Sequence, residues 1–155
     1  MSTLTDNQNF LSPLGFRFLI QKMPNVNFFI QTVNIPSVSD HLNFGSLSLT
    51  YKVDEDMKNY RELHDWINGI GFPESFDQHK EELQKSAGIK ASKDLLSDGT
   101  LVILNSNMNP NLEVTFKDLY PVSLGDVQFD LSQTDVEYIT ATADFRFRSF
   151  DVNII

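Results

Sequence analysis

The chain has 155 residues, 41% of them hydrophobic and thirteen of them phenylalanine, enough for one domain with a substantial core. Its formal charge is −9, and a surface of that sign repels nucleic acid instead of reading it. The absence of cysteine excludes a disulfide scaffold or a thiolate metal site, and no apolar run of about 18 residues is present to cross a bilayer as a helix.

Residues 1–13, MSTLTDNQNFLSP, are polar and lack the basic and apolar blocks of a secretory leader; they predict a flexible arm closed by Pro13. GFRFLIQK and NFFIQTVNIP are the first two predicted strands, joined by a turn at MPN. Pro24 and Pro36 are expected at strand ends, where a missing N–H costs least. SLSLTYKV alternates cleanly, setting Leu47, Leu49, Tyr51 and Val53 on one face and Ser48, Thr50 and Lys52 on the other.

The period then changes. Met57, Tyr60, Leu63, Trp66, Ile67 and Ile70 recur at three- and four-residue steps, which predicts an amphipathic helix over 56–70. Asp54, Glu55 and Asp56 stand at the positive end of its dipole, and Gly71 and Pro73 are expected to end it. PESFDQHKEELQKSAG predicts a second, more polar helix from Ser75 to Gly88, and IKASKDLLSDG a surface loop. The strand pattern returns in TLVILNS, NLEVTFKDL, DVQFDLS and a terminal strand, with turns expected at LSDGT and NMNPN. In the terminal strand Ile139, Ala141, Ala143, Phe145 and Phe147 alternate with Thr140, Thr142, Asp144, Arg146 and Arg148. About seven strands with one or two helices predict a mainly β fold, an antiparallel β-sandwich or barrel with the helices packed on it.

No constellation for catalysis or metal binding emerges. His41, His64 and His79 are scattered, and none belongs to an HExxH arrangement. DEDMKNYRELHD is rich in carboxylates but lacks the glycine and ligand spacing of a calcium loop. His64 and Asp65 are adjacent on a helix and do not face each other. There is no GxSxG elbow, and the glycines of INGIGFP close a helix instead of opening one onto a phosphate. A non-enzymatic chain without cofactor is expected. The polar face of the terminal strand has two readings: an ordinary wet face, or a sheet that continues into neighbouring subunits around a water-filled channel.

LYPVSLGDVQFDLSQTDVEYITATADFRFRSFDV resembles the C-terminal region of tail tube proteins of contractile-tailed bacteriophages. The elements shared are Tyr120, Pro121, Val122, Ser123, Leu124, Gly125, Val127 and Phe129, then Ala141, Ala143, Phe145, Phe147 and Phe150. FRFLIQKMPNVNFFIQTVNIPSVS is similar to the opening hairpin of that family, and YRELHDWINGIG to the helix after its third strand. Residues 73–99 fall outside the resemblance and are expected as an insertion on the outside of a tube.

The resemblance implies six-fold rings in which each subunit's strands join an inter-subunit barrel, stacked into a hollow tube. The implied partners are further copies of the chain, a sheath, a baseplate and a tail terminator, with genomic DNA passing through without specific binding and no membrane contact. The implied location is the phage tail, assembled in the host cytoplasm. A DNA conduit implies a net negative lumen, for which Glu113, Asp126, Asp130, Asp135, Glu137 and Asp144 are the candidates; alternation allows only a subset to face inward. Arg146 and Arg148 are expected to pair with Asp144 or with a neighbour's carboxylates, or to lie outside the lumen. Phe16, Phe18, Leu49, Phe116, Phe145 and Phe147 are expected in the subunit core. A baseplate tube initiator, a bacterial secretion-tube ring protein and a monomeric small-ligand β-barrel are the alternatives.

Overall fold

Apolar–polar alternation along most of the chain becomes an antiparallel sheet, seen in a computed structural model that describes residues 10–11, 13–27, 29–70, 96–134 and 138–155. In chain order the elements are β1 (Phe16–Ile20), α1 (Pro24–Asn27), β2 (Ile30–Val33), β3 (Val38–Ser39), β4 (Asn43–Phe44) and β5 (Leu47–Lys52). Then follow α2 (Lys58–Ile70), β6 (Ser97–Leu104), β7 (Pro110–Leu124), β8 (Thr140–Arg146) and β9 (Ser149–Ile154). The predicted second helix, the helix-ending Gly71 and Pro73, and most of the N-terminal arm lie outside the described residues.

β7 organises the sheet. It is a single strand of 15 residues, where the sequence suggested a strand at NLEVTFKDL alone. Its first half pairs with β6 on one edge and β9 on the other, and its second half pairs with β8. β8 and β9 follow each other along one edge in one register: Tyr120 lies opposite Arg146, and Lys117 opposite Ser149. Two faces result, sheet A (β1-β6-β7-β9) and sheet B (β7-β8-β5-β2), with β7 common to both. β1 and β2 end the strand order, so the described strands do not close into a barrel.

The inward residues of both sheets and of α2 merge into one core. Sheet A supplies Phe18, Ile20, Leu101, Ile103, Val114 and Phe116, and sheet B supplies Leu47, Leu49, Tyr51, Ala141, Ala143 and Phe145. Trp66 of α2 lies with its ring 6.1 Å from that of Phe145. Phe116, Phe147 and Phe150 form a mutual cluster at 5.2–5.7 Å, and Phe44 of the small β3–β4 hairpin joins it. Of the expected core residues, Phe18, Leu49, Phe116, Phe145 and Phe147 are buried. Phe16 is only half-buried, because it stands in the outermost row of sheet A.

Several local expectations are corrected. Pro24 does not sit at a strand end but opens the one-turn helix α1, where its fixed φ suits the first helical position. LSDGT is not a turn: Ser97, Asp98 and Gly99 belong to β6 and form a bulge against β7. Gly99 suits the bulge because a Cβ would stand 3.0 Å from Leu119 Cδ2 and 3.3 Å from Phe18 Cζ, a tight fit that those side chains would have to ease. DVQFDLS forms no strand, although its alternation is intact. Where β7 passes from sheet A to sheet B, Asp118 adopts a left-handed φ of 55°, and its carboxylate pairs with Arg148 at 2.9 Å.

α2 is fastened to β5 through Asn59, which is fully buried. Its Nδ2 donates to the Lys52 carbonyl at 2.8 Å, and its backbone N–H donates to Asp54 Oδ1 at 3.0 Å. Beneath the helix, the Tyr51 ring is fully buried and its hydroxyl has no hydrogen-bond partner among the described residues. Burial, and then the neighbouring Tyr60, push its phenol above the ordinary value. Tyr51→Phe is therefore expected to leave the urea midpoint unchanged or raise it, by up to about 1 kcal/mol of stability. A clear loss of stability would mean that the hydroxyl is satisfied after all.

Candidate assembly surface

The outer face of sheet B is built by four strands that each contribute alternate residues. β8 gives Thr140, Thr142, Asp144 and Arg146; β5 gives Ser48, Thr50 and Lys52; β2 gives Thr32; β7 gives Tyr120 and Ser123. The face is wet and hydroxyl-rich, with one acid against two bases. Asp144 lies between two hydroxyls, accepting from Ser48 Oγ on β5 and from Ser123 Oγ on β7 at 2.9 Å. Those two serines are separated from Asp144 by 96 and 21 positions in the chain, so only the strand pairing brings them to it. Lys52 lies over the Tyr138 ring at 4.9 Å, and Arg146 makes no ion pair among the described residues.

The candidate lumen acids are not brought together. Asp144 is on the outer face of sheet B, whereas Glu113 is on the outer face of sheet A, beside Val102 and Asn153. Asp126 and Asp130 are exposed in the loop after β7, and the Asp130 carboxylate accepts from the Ser132 backbone and hydroxyl. Those hydrogen bonds hold its pKa below the ordinary carboxylate value. Asp135 and Glu137 lie outside the described residues. Arg148 does not pair with Asp144; its partner is Asp118, in a charged cleft that also contains a Lys117–Asp98 pair at 3.6 Å. Among the described residues no cluster of histidines and carboxylates could hold a metal, and no helix is long and apolar enough to cross a membrane.

Both lateral edges of sheet B are unpaired among the described residues: the outer side of β2 and the outer side of the second half of β7.

The model of the phage tail tube protein family matches residues 22–153, and the chain belongs to that family. Its fold recurs in chains of contractile injection assemblies and in Hcp1. The PVC sheath–tube complex of an extracellular contractile injection system contains a chain 16% identical, with a TM-score of 0.56 and coverage of 99% of this chain and 100% of that one. The anti-feeding prophage tube-terminating cap contains one 12% identical, with a TM-score of 0.59 and coverage of 99% and 97%. Hcp1 from Salmonella typhimurium is 12% identical, with a TM-score of 0.52 and coverage of 90% and 86%. No curated protein matches the sequence.

Proposed function

We propose that the protein is the structural subunit of a contractile-tail tube, forming six-membered rings that stack into a conduit for DNA, with the outer face of sheet B lining the bore. The observation that carries this reading is the hydroxyl face of sheet B, flanked on both sides by unpaired strand edges. Edge-to-edge continuation of six such sheets would give a closed inner barrel and remove the edges that a lone subunit exposes. Serine and threonine hydroxyls offer passing DNA no row of cations to hold it. The chain's −9 charge lies mostly off this face, where Asp144 stands against Lys52 and Arg146, so any long-range repulsion of phosphates comes from the subunit as a whole. Asp144 is the one acid among the described residues of this face, held between Ser48 and Ser123.

Membership of the family supports a structural role without catalysis. Tubes of this class meet a sheath outside and a terminator and baseplate at their ends, and the fold likeness to a sheath–tube complex and a tube cap supports those partners here. The particle would be a phage tail or a related contractile assembly, put together in the host cytoplasm. The family match favours a phage tube over a secretion-tube ring. Analytical sedimentation with negative-stain imaging of the full chain tests the reading: rings and stacked tubes are expected, and a monomer at every concentration would point to a ligand-carrying β-barrel instead.

A further inference from the structure

Residues 126–132, DVQFDLS, keep the strict alternation of a half-buried strand, yet among the described residues no strand pairs with them. Their apolar side chains are left in water: Phe129 is 76% exposed and Leu131 fully so. Only Val127, at the root of the segment, packs against the subunit's own core.

At the other end of β7 the converse defect occurs. The inner face of sheet A carries apolar rows that run across four strands, Phe18–Leu101–Val114–Val152 and Phe16–Ile103–Leu112–Ile154. The first three members of the first row are buried, but Val152 is 55% exposed and Ile154 85%. The rows stop one strand short of being covered.

The edge beside them is a ready template. The Ile155 N–H donates to the Asn111 carbonyl, so by antiparallel alternation the odd residues of β9 bond to β7. The main-chain groups of Phe150, Val152 and Ile154 therefore point away from β7 into solvent. β9 has no proline and no basic residue to blunt it. The open edge of β7, in contrast, carries Pro121, and β2 is four residues long with a register shift.

We propose that residues 126–132 of one copy add as a fifth strand to the β9 edge of sheet A in a second copy, seating Phe129 and Leu131 against Val152 and Ile154. The inference rests on the tube reading and specifies the contact that stacks it. In either strand direction the two pairs can be set opposite each other with Asp130 beside Asn153, away from Asp151. Donor and acceptor lie at opposite ends of β7, roughly 40 Å apart along the strand at about 3.3 Å per residue. Such a contact is head-to-tail and not self-complementary, so it propagates an open-ended assembly instead of closing a dimer.

The cysteine-free sequence allows a direct test. Of the double variants Leu131→Cys/Ile154→Cys and Leu131→Cys/Val152→Cys, oxidised after assembly, the one that matches the strand direction should give a reducible ladder of covalent multimers, and Leu131→Cys/His64→Cys should not. Leu131→Asp should leave the thermal midpoint of the subunit unchanged while raising the concentration needed for stacking about ten- to a hundredfold. Stacked tubes on the grid with no ladder, or with Leu131→Asp stacking at the wild-type concentration, would overturn the strand exchange and leave the tube reading intact. Failure of the unmodified chain to form rings or stacks would overturn both.

Discussion

Phe116→Ala is expected to lower the free energy of unfolding by about 3–5 kcal/mol, the cost of emptying a buried aromatic site that cannot collapse. Phe116 is fully buried and meets three aromatic rings: Phe18 at 6.1 Å, Phe147 at 5.2 Å and Phe150 at 5.6 Å. It stands where β6, β7 and β9 are paired side by side, so the cavity would open between strands that hydrogen bonds hold in place. Phe129→Ala supplies the contrast within one residue type, because its ring is exposed and its loss should change subunit stability by less than about 0.5 kcal/mol. Urea denaturation of both variants measures the difference. Equal midpoints would mean that the buried face of β7 has been assigned to the wrong side.

Asn59→Leu should cost about 2–4 kcal/mol, although it replaces one side chain by another of similar size. The substitution orphans the Lys52 carbonyl and the Tyr60 N–H, which now bond to Asn59 Nδ2 and Oδ1 at 2.8 Å, in a site without solvent. It also removes the side chain that locks α2 against the end of β5, and a helix of 13 residues has little stability of its own. Partial desolvation acts against ionisation of the adjoining Asp54. The backbone N–H groups of Asn59, Lys58 and Asp54 itself, with the Lys58 charge, outweigh it and hold the pKa below its ordinary 3.8. A depressed carboxylate contributes stability above its unfolded value and loses it on protonation, so this interlock holds at neutral pH and loosens as the pH falls below 3.8. Hydrogen exchange along α2 would report the release directly. A loss under about 1 kcal/mol would mean that water replaces the lost bonds.

Much of this fold is legible in one dimension because side-chain period and burial are coupled. The alternation of Leu47, Leu49 and Tyr51 gave β5, that of Ala141, Ala143 and Phe145 gave β8, and the three- and four-residue steps from Tyr60 to Ile70 gave α2. Pairing was not legible. Nothing local says that Ser48 and Ser123 flank Asp144, or that Arg148 turns to Asp118, because those meetings depend on which strands are neighbours. Turn chemistry misled at LSDGT, whose glycine serves a bulge pressed against Leu119 and not a reversal. The alternation in DVQFDLS is informative in a different way. Among the described residues it forms no strand, and the proposed exchange between copies would give that pattern its partner.

On the proposed reading, sheet B faces the bore of a ring-built tube. A cryo-EM reconstruction of the assembled protein, followed by maleimide labelling of Thr142→Cys with a reagent too large to enter the bore, tests it most directly. Stacked six-fold rings with Thr142, Asp144 and Ser48 on the inner wall, and a cysteine at 142 that labels in the dissociated subunit but not in the tube, are the predicted results. Rings that place this face outward, with the cysteine at 142 labelled equally in subunit and tube, would contradict the account.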